Sequence, residues 1–131
     1  MKKQLTLAAA LLILAGTASS AFATPVTSSN DATFARDVLG APTPVVVDFY
    51  ADWCGPCRHM GPVVDELSTQ YGDSVKFVRV NIDSSPDIAG KLGIRSIPAF
   101  RVFQNGRIVG SATGMMPGQE LSKVINSSIQ K

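Results

Sequence analysis

The sequence predicts an α/β domain with a mixed sheet. Three features indicate this class: an apolar, β-branched run at residues 45–51, a helical stretch from about 54 to 71, and the turn pair Asn105-Gly106 between two strand-like segments. A nearly continuous apolar strand indicates burial on both faces, as at the centre of an α/β sheet. A strand–helix–strand unit predicts parallel pairing, and the hairpin signal adds an antiparallel pair.

The remaining elements follow from caps, breakers and periodicity. Asn30 or Asp31 can cap a first helix that Gly40 ends, and Pro86 suits the first turn of a short helix. Pro62 lies inside the long helix, where its ring removes a backbone hydrogen bond and predicts a kink. In order, the sequence predicts a weak strand at Val26-Thr27, a helix to about residue 39, strand 45–51, helix 54–71, strand 75–81, helix 85–93, strands 99–104 and 107–112, and a helix from 117 to about 130.

The first 23 residues have the pattern of a secretory signal peptide. Lys2 and Lys3 form a positive start, residues 5–15 are apolar but too short to span a bilayer, and Ala21-Phe22-Ala23 is a small-residue cleavage site. A core helix or a retained anchor are the alternatives. We therefore divide the chain into a signal peptide, 1–23, and one domain, 24–131, and expect an exported, periplasmic protein without stable membrane insertion after cleavage.

The charge of the domain argues against two classes of partner. Cleavage removes Lys2 and Lys3, so the 12 Lys and Arg of the whole chain fall to 10, equal to its 10 Asp and Glu. Nucleic acids and anionic membrane surfaces both attract basic faces. We expect neither as a partner, and we expect a monomer.

The chain has two cysteines, in the segment Trp53-Cys54-Gly55-Pro56-Cys57 directly after the apolar strand. A helix that begins near Cys54 would lower the pKa of that thiol and favour the nucleophilic thiolate, and we expect its sulfur to be exposed. A structural disulfide is the alternative, but in the chain-entropy model a loop of about four residues contributes only roughly 2 kcal/mol. Zinc needs four ligands, and only His59 lies nearby, so we expect no metal.

The predicted elements place one carboxyl group, that of Asp48, and one cation, that of Arg58, near the two cysteines. Asp48 sits within the apolar strand, where an ionised carboxylate is unfavourable, so burial should raise its pKa. Its side chain would instead reach solvent if the strand lay at an edge. Arg58 is four residues after Cys54 on the same helical face, where it can favour the thiolate or remain a solvated cation.

These motifs together resemble the thioredoxin family over nearly the whole of residues 24–131. A Cys-x-x-Cys motif alone would be weak support, but the matching segments occur in family order and at family spacing. They are residues 47–51, 53–58, Pro62, 81–83, 93–98, Asn105-Gly106 and Gly114.

The resemblance implies a central mixed five-stranded sheet flanked by four helices, and thiol–disulfide exchange with protein substrates. Cys54 would attack the substrate disulfide, Cys57 would resolve the mixed disulfide, and Asp48 would accept a proton from Cys57. Gly55, Pro56 and Arg58 would tune the redox poise. The protein would need no cofactor beyond its own redox-active disulfide between Cys54 and Cys57.

The resemblance also implies a substrate surface around Cys54. Trp53, Ile97, Pro98, Gly93 and Gly114 would form a flat, partly apolar rim, with a cis bond before Pro98 and the Ile97 backbone pairing with an extended substrate. Plain turn geometry is the alternative for the two glycines. Arg79 stands where the family usually has Lys, which leaves a lysine-specific coupling to Asp48 in doubt.

The function predicted is reduction of protein disulfides in the periplasm, with a membrane thiol-transfer protein as electron donor. A disulfide-forming oxidase or a cytochrome c maturation reductant are the alternatives within redox chemistry. A non-catalytic binding module on the same fold is the alternative of another class.

Overall fold

The computed structural model describes residues 15–17 and 24–129. The predicted signal peptide and its cleavage site fall, apart from residues 15–17, outside the described part of the chain. Within the described residues, no helix is both long and apolar enough to cross a membrane.

The core of the fold is a five-stranded mixed sheet, which confirms the predicted class. The strands are β1 Thr27–Ser29, β2 Val45–Tyr50, β3 Lys76–Asn81, β4 Ala99–Gln104 and β5 Arg107–Thr113. Their spatial order is β1-β3-β2-β4-β5. β3 runs parallel to both β1 and β2, whereas β4 is antiparallel to β2 and β5. β2 is therefore central, as its apolar composition predicts.

Helices cover both faces of the sheet. The described residues contain a π-helix Ala35–Leu39, α1 Gly55–Tyr71, a short 3-10 helix Gly72–Ser74, α2 Pro86–Lys91 and α3 Gly118–Ser128. Val46 of β2 packs with side chains of α1 and α3 in one apolar cluster. Val47 and Phe49, of opposite parity along the strand, pack in a second cluster with Phe34 and Val38. This alternation places Asp48 on the same face as Val46, towards α1.

Two N-terminal elements differ from prediction. The first strand was predicted at 26–27 and is observed at Thr27–Ser29, so it begins one residue later and ends two residues later. The first helix is a π-helix, in which the Gly40 N–H reaches back five residues to the Ala35 carbonyl at 2.8 Å. Asn30 caps the preceding turn, accepting from the Ala32 N–H at 2.9 Å.

Asp31 does not cap the first helix, although its position allowed it. Its carboxylate accepts the backbone N–H groups of Asp87 at 3.2 Å and Ile88 at 2.9 Å, at the start of α2. These two hydrogen bonds join Asp31 to residues that lie 56 and 57 positions later in the chain. α2 also ends earlier than predicted, at Lys91, and the predicted end of α3 near Gln130 lies outside the described residues.

Candidate functional site

The two cysteines lie where the chain passes from β2 into α1. After Tyr50 the backbone makes a tight turn, in which the Cys54 N–H donates to the Ala51 carbonyl at 3.1 Å. Cys54 is the N-cap of α1 with an extended backbone, φ −83° and ψ 108°, and Cys57 occupies the first turn. The two form a disulfide with their Cα atoms 5.3 Å apart. Gly55 and Pro56 lie between them, and Pro56 suits a first turn because its missing N–H is not needed there.

The first sulfur faces the positive end of the helix. The Cys57 N–H donates to Cys54 Sγ at 3.2 Å, the position in which a capping side chain satisfies a free helical donor. Once the disulfide is reduced, this N–H and the helix dipole favour a negative charge on that sulfur. The arrangement therefore lowers the cost of ionising Cys54.

Cys54 is more enclosed than we expected. In the disulfide form Cys54 is 5% exposed and Cys57 6% exposed, and both pack with Ala51 and Ile97. The Ile97 carbonyl lies 3.9 Å from Cys54 Sγ. The prediction of an exposed sulfur is thus wrong for this state, because the segment before β4 closes over it. A partner sulfur must approach along the small accessible edge that remains.

Asp48 is buried as predicted, with 2% of the residue exposed. It lines a pocket of about 260 Å³ together with Cys57 and Arg79. Burial raises the pKa of Asp48 to about 6, and the nearby Arg79 cation opposes that rise without cancelling it. One carboxyl oxygen, Oδ1, is buried without a hydrogen-bond partner. The edge-strand alternative is therefore wrong, since β2 is central.

Arg79 comes beside Asp48 through the parallel register of β2 and β3, which pairs these two residues. Its Nε lies 3.5 Å from Asp48 Oδ2, and its Nη2 donates to the Gly61 carbonyl at 3.0 Å. Asp65 Oδ1 lies 3.9 Å from the same Nη2. No sequence pattern indicated a role for Gly61 or Asp65 at this site. A guanidinium cannot lose its proton in a protein, so this cation is permanent, unlike a lysine.

Arg58 is exposed, and its guanidinium is held at the surface of the site. Nη1 donates to the backbone carbonyl of Asp52 at 3.0 Å. Both residues line the pocket that Asp48 and Cys57 share. A cation fixed in this place contributes positive potential at the start of α1.

Only part of the predicted substrate rim around Cys54 is exposed to solvent. Trp53 is 68% exposed, and its Nε1 donates to Asp83 Oδ2 at 2.9 Å. Pro98 is buried, so its place on an exposed rim is wrong; a cis peptide bond joins it to Ile97. Met115, which no sequence pattern indicated, is 61% exposed.

Gly93 and Gly114 take backbone conformations that favour glycine, with φ of +66° and +95°. The Gly114 N–H donates to the Pro98 carbonyl at 2.8 Å, which ties the end of β5 to the segment before β4. Turn geometry therefore accounts for both glycines. Their contact with substrate stays a prediction.

Residues 15–17 and 24–129 contain no group of three or more His, Cys, Asp or Glu side chains that could hold a metal ion. The described site brings together two sulfurs, a buried carboxyl group and the dipole of α1.

Comparison with known proteins gives one family. The Thioredoxin family model matches residues 25–127. The chain belongs to the thioredoxin family. It is 46% identical over 99 residues to thioredoxin 1 of Synechococcus elongatus, covering 76% of this chain and 92% of that protein. It is 48% identical over 103 residues to a thioredoxin of Synechocystis sp., covering 79% and 94%.

A chloroplastic M-type thioredoxin of Pisum sativum is 44% identical over 100 residues, covering 76% of this chain and 58% of that protein. With thioredoxin relatives and a Cys54–Cys57 disulfide, the chain is a thiol–disulfide oxidoreductase. The thioredoxin family acts on disulfide-containing protein substrates and needs no cofactor.

Proposed function

We propose that this protein reduces disulfide bonds in exported proteins, with Cys54 as the attacking thiol and Cys57 as the resolving thiol. The observation that carries the assignment is the N-cap position of Cys54, whose sulfur accepts the Cys57 N–H at 3.2 Å. Cys57 lies one turn further on and faces the pocket of Asp48. The two sulfurs are thus inequivalent, as attack and resolution require.

The reaction proceeds by two exchanges. The Cys54 thiolate attacks one sulfur of the substrate disulfide, forms a mixed disulfide, and releases the other substrate sulfur as a thiolate that takes up a proton. Cys57 then loses its proton and attacks Cys54 Sγ, which forms the Cys54–Cys57 disulfide and releases the second substrate sulfur. The substrate gains two electrons and two protons, and the enzyme dithiol loses them.

Asp48 is proposed as the acceptor of the Cys57 proton. The carboxyl and Cys57 line one pocket of about 260 Å³, a space large enough for water to relay the proton. A pKa of about 6 keeps the carboxyl mostly ionised near neutral pH while making it a better base than an exposed aspartate. The cation of Arg79, 3.5 Å from Asp48 Oδ2, reduces the free-energy cost of the ionised carboxylate.

The rim supplies the proposed substrate contacts. Trp53 presents an exposed apolar ring held by Asp83, and Ile97 lies against the disulfide with its carbonyl 3.9 Å from Cys54 Sγ. An extended substrate segment pairing with the Ile97 backbone would bring its disulfide to this edge. Gly93 and Gly114 would let the substrate approach the backbone of the enzyme closely there, and the buried Pro98 would act by positioning Ile97.

The compartment is proposed from the sequence alone. Residues 1–23 carry the pattern of a cleavable signal peptide, which supports a periplasmic domain of residues 24–131. A reductant in that compartment needs electrons from across the membrane, so we propose a membrane thiol-transfer protein as donor. In cells, the tagged protein should fractionate with the periplasm and begin at Thr24. Removal of the donor should leave it oxidised; a protein that stays fully reduced would contradict this supply route.

Reduction of insulin disulfides by wild type, Cys54→Ser and Cys57→Ser tests the assignment of roles. We expect the first variant to be inactive, and the second to accumulate a mixed disulfide through Cys54. Equal activity of Cys54→Ser and wild type would instead indicate a binding module.

The direction of exchange is tested by equilibrating the dithiol with a glutathione redox buffer. A reductase should equilibrate near the thioredoxin value of about −270 mV, whereas an oxidase lies nearer −120 mV. A value in the oxidising range would contradict the reductase proposal and favour disulfide formation.

A further inference from the structure

Arg79 lines two cavities and so connects the redox site with a more distant part of the surface. The first is the pocket of about 260 Å³ that Asp48 and Cys57 share. The second is an open groove of about 420 Å³ between α1 and the segment that leads into β1, which Arg79 and Asp65 line together. The side chain of Asp65 is 63% exposed, and none of the steps proposed for exchange uses it.

One guanidinium serves both carboxylates. Arg79 Nε lies 3.5 Å from Asp48 Oδ2, and Arg79 Nη2 lies 3.9 Å from Asp65 Oδ1. A charge-assisted hydrogen bond would bring such atoms to about 2.7–2.9 Å, so the cation is closely bonded to neither carboxylate. Its firm contact is with the backbone, because Nη2 donates to the Gly61 carbonyl at 3.0 Å. The attraction of the cation is therefore divided between two acids.

The helix α1 presents both of its acceptors to this cation from one face. Gly61 and Asp65 are four residues apart, so they lie one above the other on the helix. Gly61 also leaves the space that the guanidinium occupies, since a Cβ at this position would lie 3.2 Å from Arg79 Nη2. The backbone contact keeps Arg79 within reach of Asp65 as well as Asp48.

The charges around Asp48 act on it in opposite directions. Burial raises the pKa of Asp48 to about 6, the Arg79 cation lowers it, and the Asp65 carboxylate raises it in turn. A cation that is also attracted to a second carboxylate stabilises the first one less. The titratable and charged side chains that face this cluster, from β2, the turn after it, α1 and β3, are Tyr50, Asp52, Cys57, Arg58, Asp65 and Arg79.

We propose that Asp65 is a positioning residue for the exchange reaction, which acts by sharing the Arg79 cation with Asp48. Its carboxylate draws the guanidinium outwards and leaves Asp48 a stronger base towards the proton of Cys57. The inference rests on the proposed role of Asp48 as proton acceptor and adds a surface residue that adjusts it. Neutral Asp65 would give Asp48 a larger share of the cation and make it a weaker base.

Titration of Asp48 in the oxidised protein tests the sharing without any disulfide exchange. NMR of its carboxyl carbon gives the midpoint, which in Asp65→Asn should fall by about 0.2–0.6 of a pH unit, the effect of one exposed ion pair. Asp65→Glu keeps the carboxylate and should stay near the wild-type midpoint. Glu66→Gln is the matched control, because it removes the same charge from the next exposed position of α1, and it should have less than half the effect.

A double-mutant cycle shows whether Arg79 carries the effect. In an Arg79→Gln background, Asp65→Asn should shift the midpoint by less than it does in wild type, since only direct repulsion between the two carboxylates is then removed. An equal shift in both backgrounds overturns the proposal. So does an unchanged or raised midpoint in Asp65→Asn, or an equal fall in Glu66→Gln. If Arg79→Gln does not fold, the comparison of Asp65→Asn with Asp65→Glu and Glu66→Gln decides.

The rate of the second exchange tests the link to the reaction. Reduced protein is mixed with an aromatic disulfide, and release of the second aromatic thiolate reports the attack of Cys57. The ratio of this rate at about pH 5 to that at about pH 8 should rise about 1.5- to fourfold in Asp65→Asn, because more of Asp48 is ionised in acid.

The outcomes separate this proposal from the proposed function. A shifted Asp48 midpoint with an unchanged rate ratio in Asp65→Asn would overturn the positioning role and leave the reductase proposal standing. If Asp48→Asn also left the rate and its pH dependence unaltered, the role of Asp48 as proton acceptor would fail, and the role of Asp65 with it. A wild type that releases no second thiolate would overturn the exchange mechanism itself.

Discussion

At the scale of the residue, Asp48 shows how burial sets a proton affinity. Its pKa is raised to about 6 because burial removes solvent from the carboxylate, and Arg79 at 3.5 Å compensates only partly. In the unfolded chain an aspartate has a pKa of about 3.9. The folded protein thus holds this proton more tightly than the unfolded chain, and the corresponding stability is lost as the pH rises from about 4 through about 6.

Asp48→Asn should therefore remove a pH dependence of the free energy of unfolding. A shift of about two pKa units corresponds to about 3 kcal/mol, so the stability of the variant relative to wild type should rise by up to that amount between about pH 4 and 7. Urea unfolding of the oxidised proteins across this range measures it. The same variant should reduce disulfides more slowly at neutral pH, because Cys57 loses its proton acceptor.

Asp52→Asn is the matched control, since Asp52 is exposed and lines the same pocket. We expect its stability to follow the wild-type pH profile. If the Asp48→Asn and wild-type profiles ran parallel, Asp48 would not carry the buried proton. An unchanged exchange rate in Asp48→Asn would remove it from the mechanism.

The sequence predicted Asp48 but not its surroundings, for a physical reason. A carboxyl group in an apolar run is visible from its neighbours in the chain, since a continuous apolar strand such as β2 is buried on both faces. The contact of Asp48 with Arg79 depends on the register between β2 and β3. The hydrogen bond from Arg79 to the Gly61 carbonyl depends on how α1 packs over these two residues. Neither relation is local in sequence.

At the scale of the element, the start of α2 illustrates the same limit. Pro86 marks the position of the helix in the sequence, and the structure begins α2 there. Its capping side chain, however, comes from Asp31, while the nearby Ser85 is buried and its hydroxyl has no hydrogen-bond partner. Sequence rules search for caps among adjacent residues, so they assigned Asp31 to the first helix.

Asp31→Ala should destabilise the protein by about 1 kcal/mol, because two backbone N–H groups of α2 lose their acceptor. Asp31→Asn is the control, since its amide oxygen keeps one of the two acceptors, and it should cost less. Urea unfolding gives the energies, and amide hydrogen exchange at Ile88 should accelerate in Asp31→Ala. Unchanged exchange at Ile88 would contradict the capping role.

The position of the first helix was predicted from the sequence, but its type, a π-helix, was not. Phe34 and Val38 lie four residues apart and are both buried, as helical periodicity requires. The π-helical closure, from Gly40 to Ala35, depends on how this short segment packs on the sheet face. Periodicity alone does not distinguish helix types over five residues.

At the scale of the whole molecule, the site assembles from segments far apart in sequence. β2 provides Asp48, the start of α1 provides the cysteines, β3 provides Arg79 and the segment before β4 provides Ile97. The residues next to the cysteines in sequence, Trp53, Gly55, Pro56 and Arg58, were recognisable from the motif. Met115 was not, because one methionine after a glycine has no distinctive pattern until β5 brings it beside α1.

The proposed start of the domain at Thr24 predicts how truncation of the chain affects the stability of the whole fold. The buried Ser68 hydroxyl donates to the Thr24 carbonyl, and Thr24 Oγ1 donates to Asp73 Oδ1 at 2.7 Å. Val26 packs against the main apolar cluster. The segment just after the predicted cleavage site is therefore bound to α1 and to the turn that follows it.

A chain of residues 24–131 should accordingly unfold in urea at the same midpoint as the full chain. A chain of residues 27–131 should lose roughly 2–3 kcal/mol, because Ser68 loses its buried acceptor and the packing of Val26 is lost. In a Ser68→Ala background the same truncation should cost less, since no buried hydroxyl is then left unpaired. A marked loss of stability on removing residues 1–23 would instead show that they belong to the fold and would contradict the boundary.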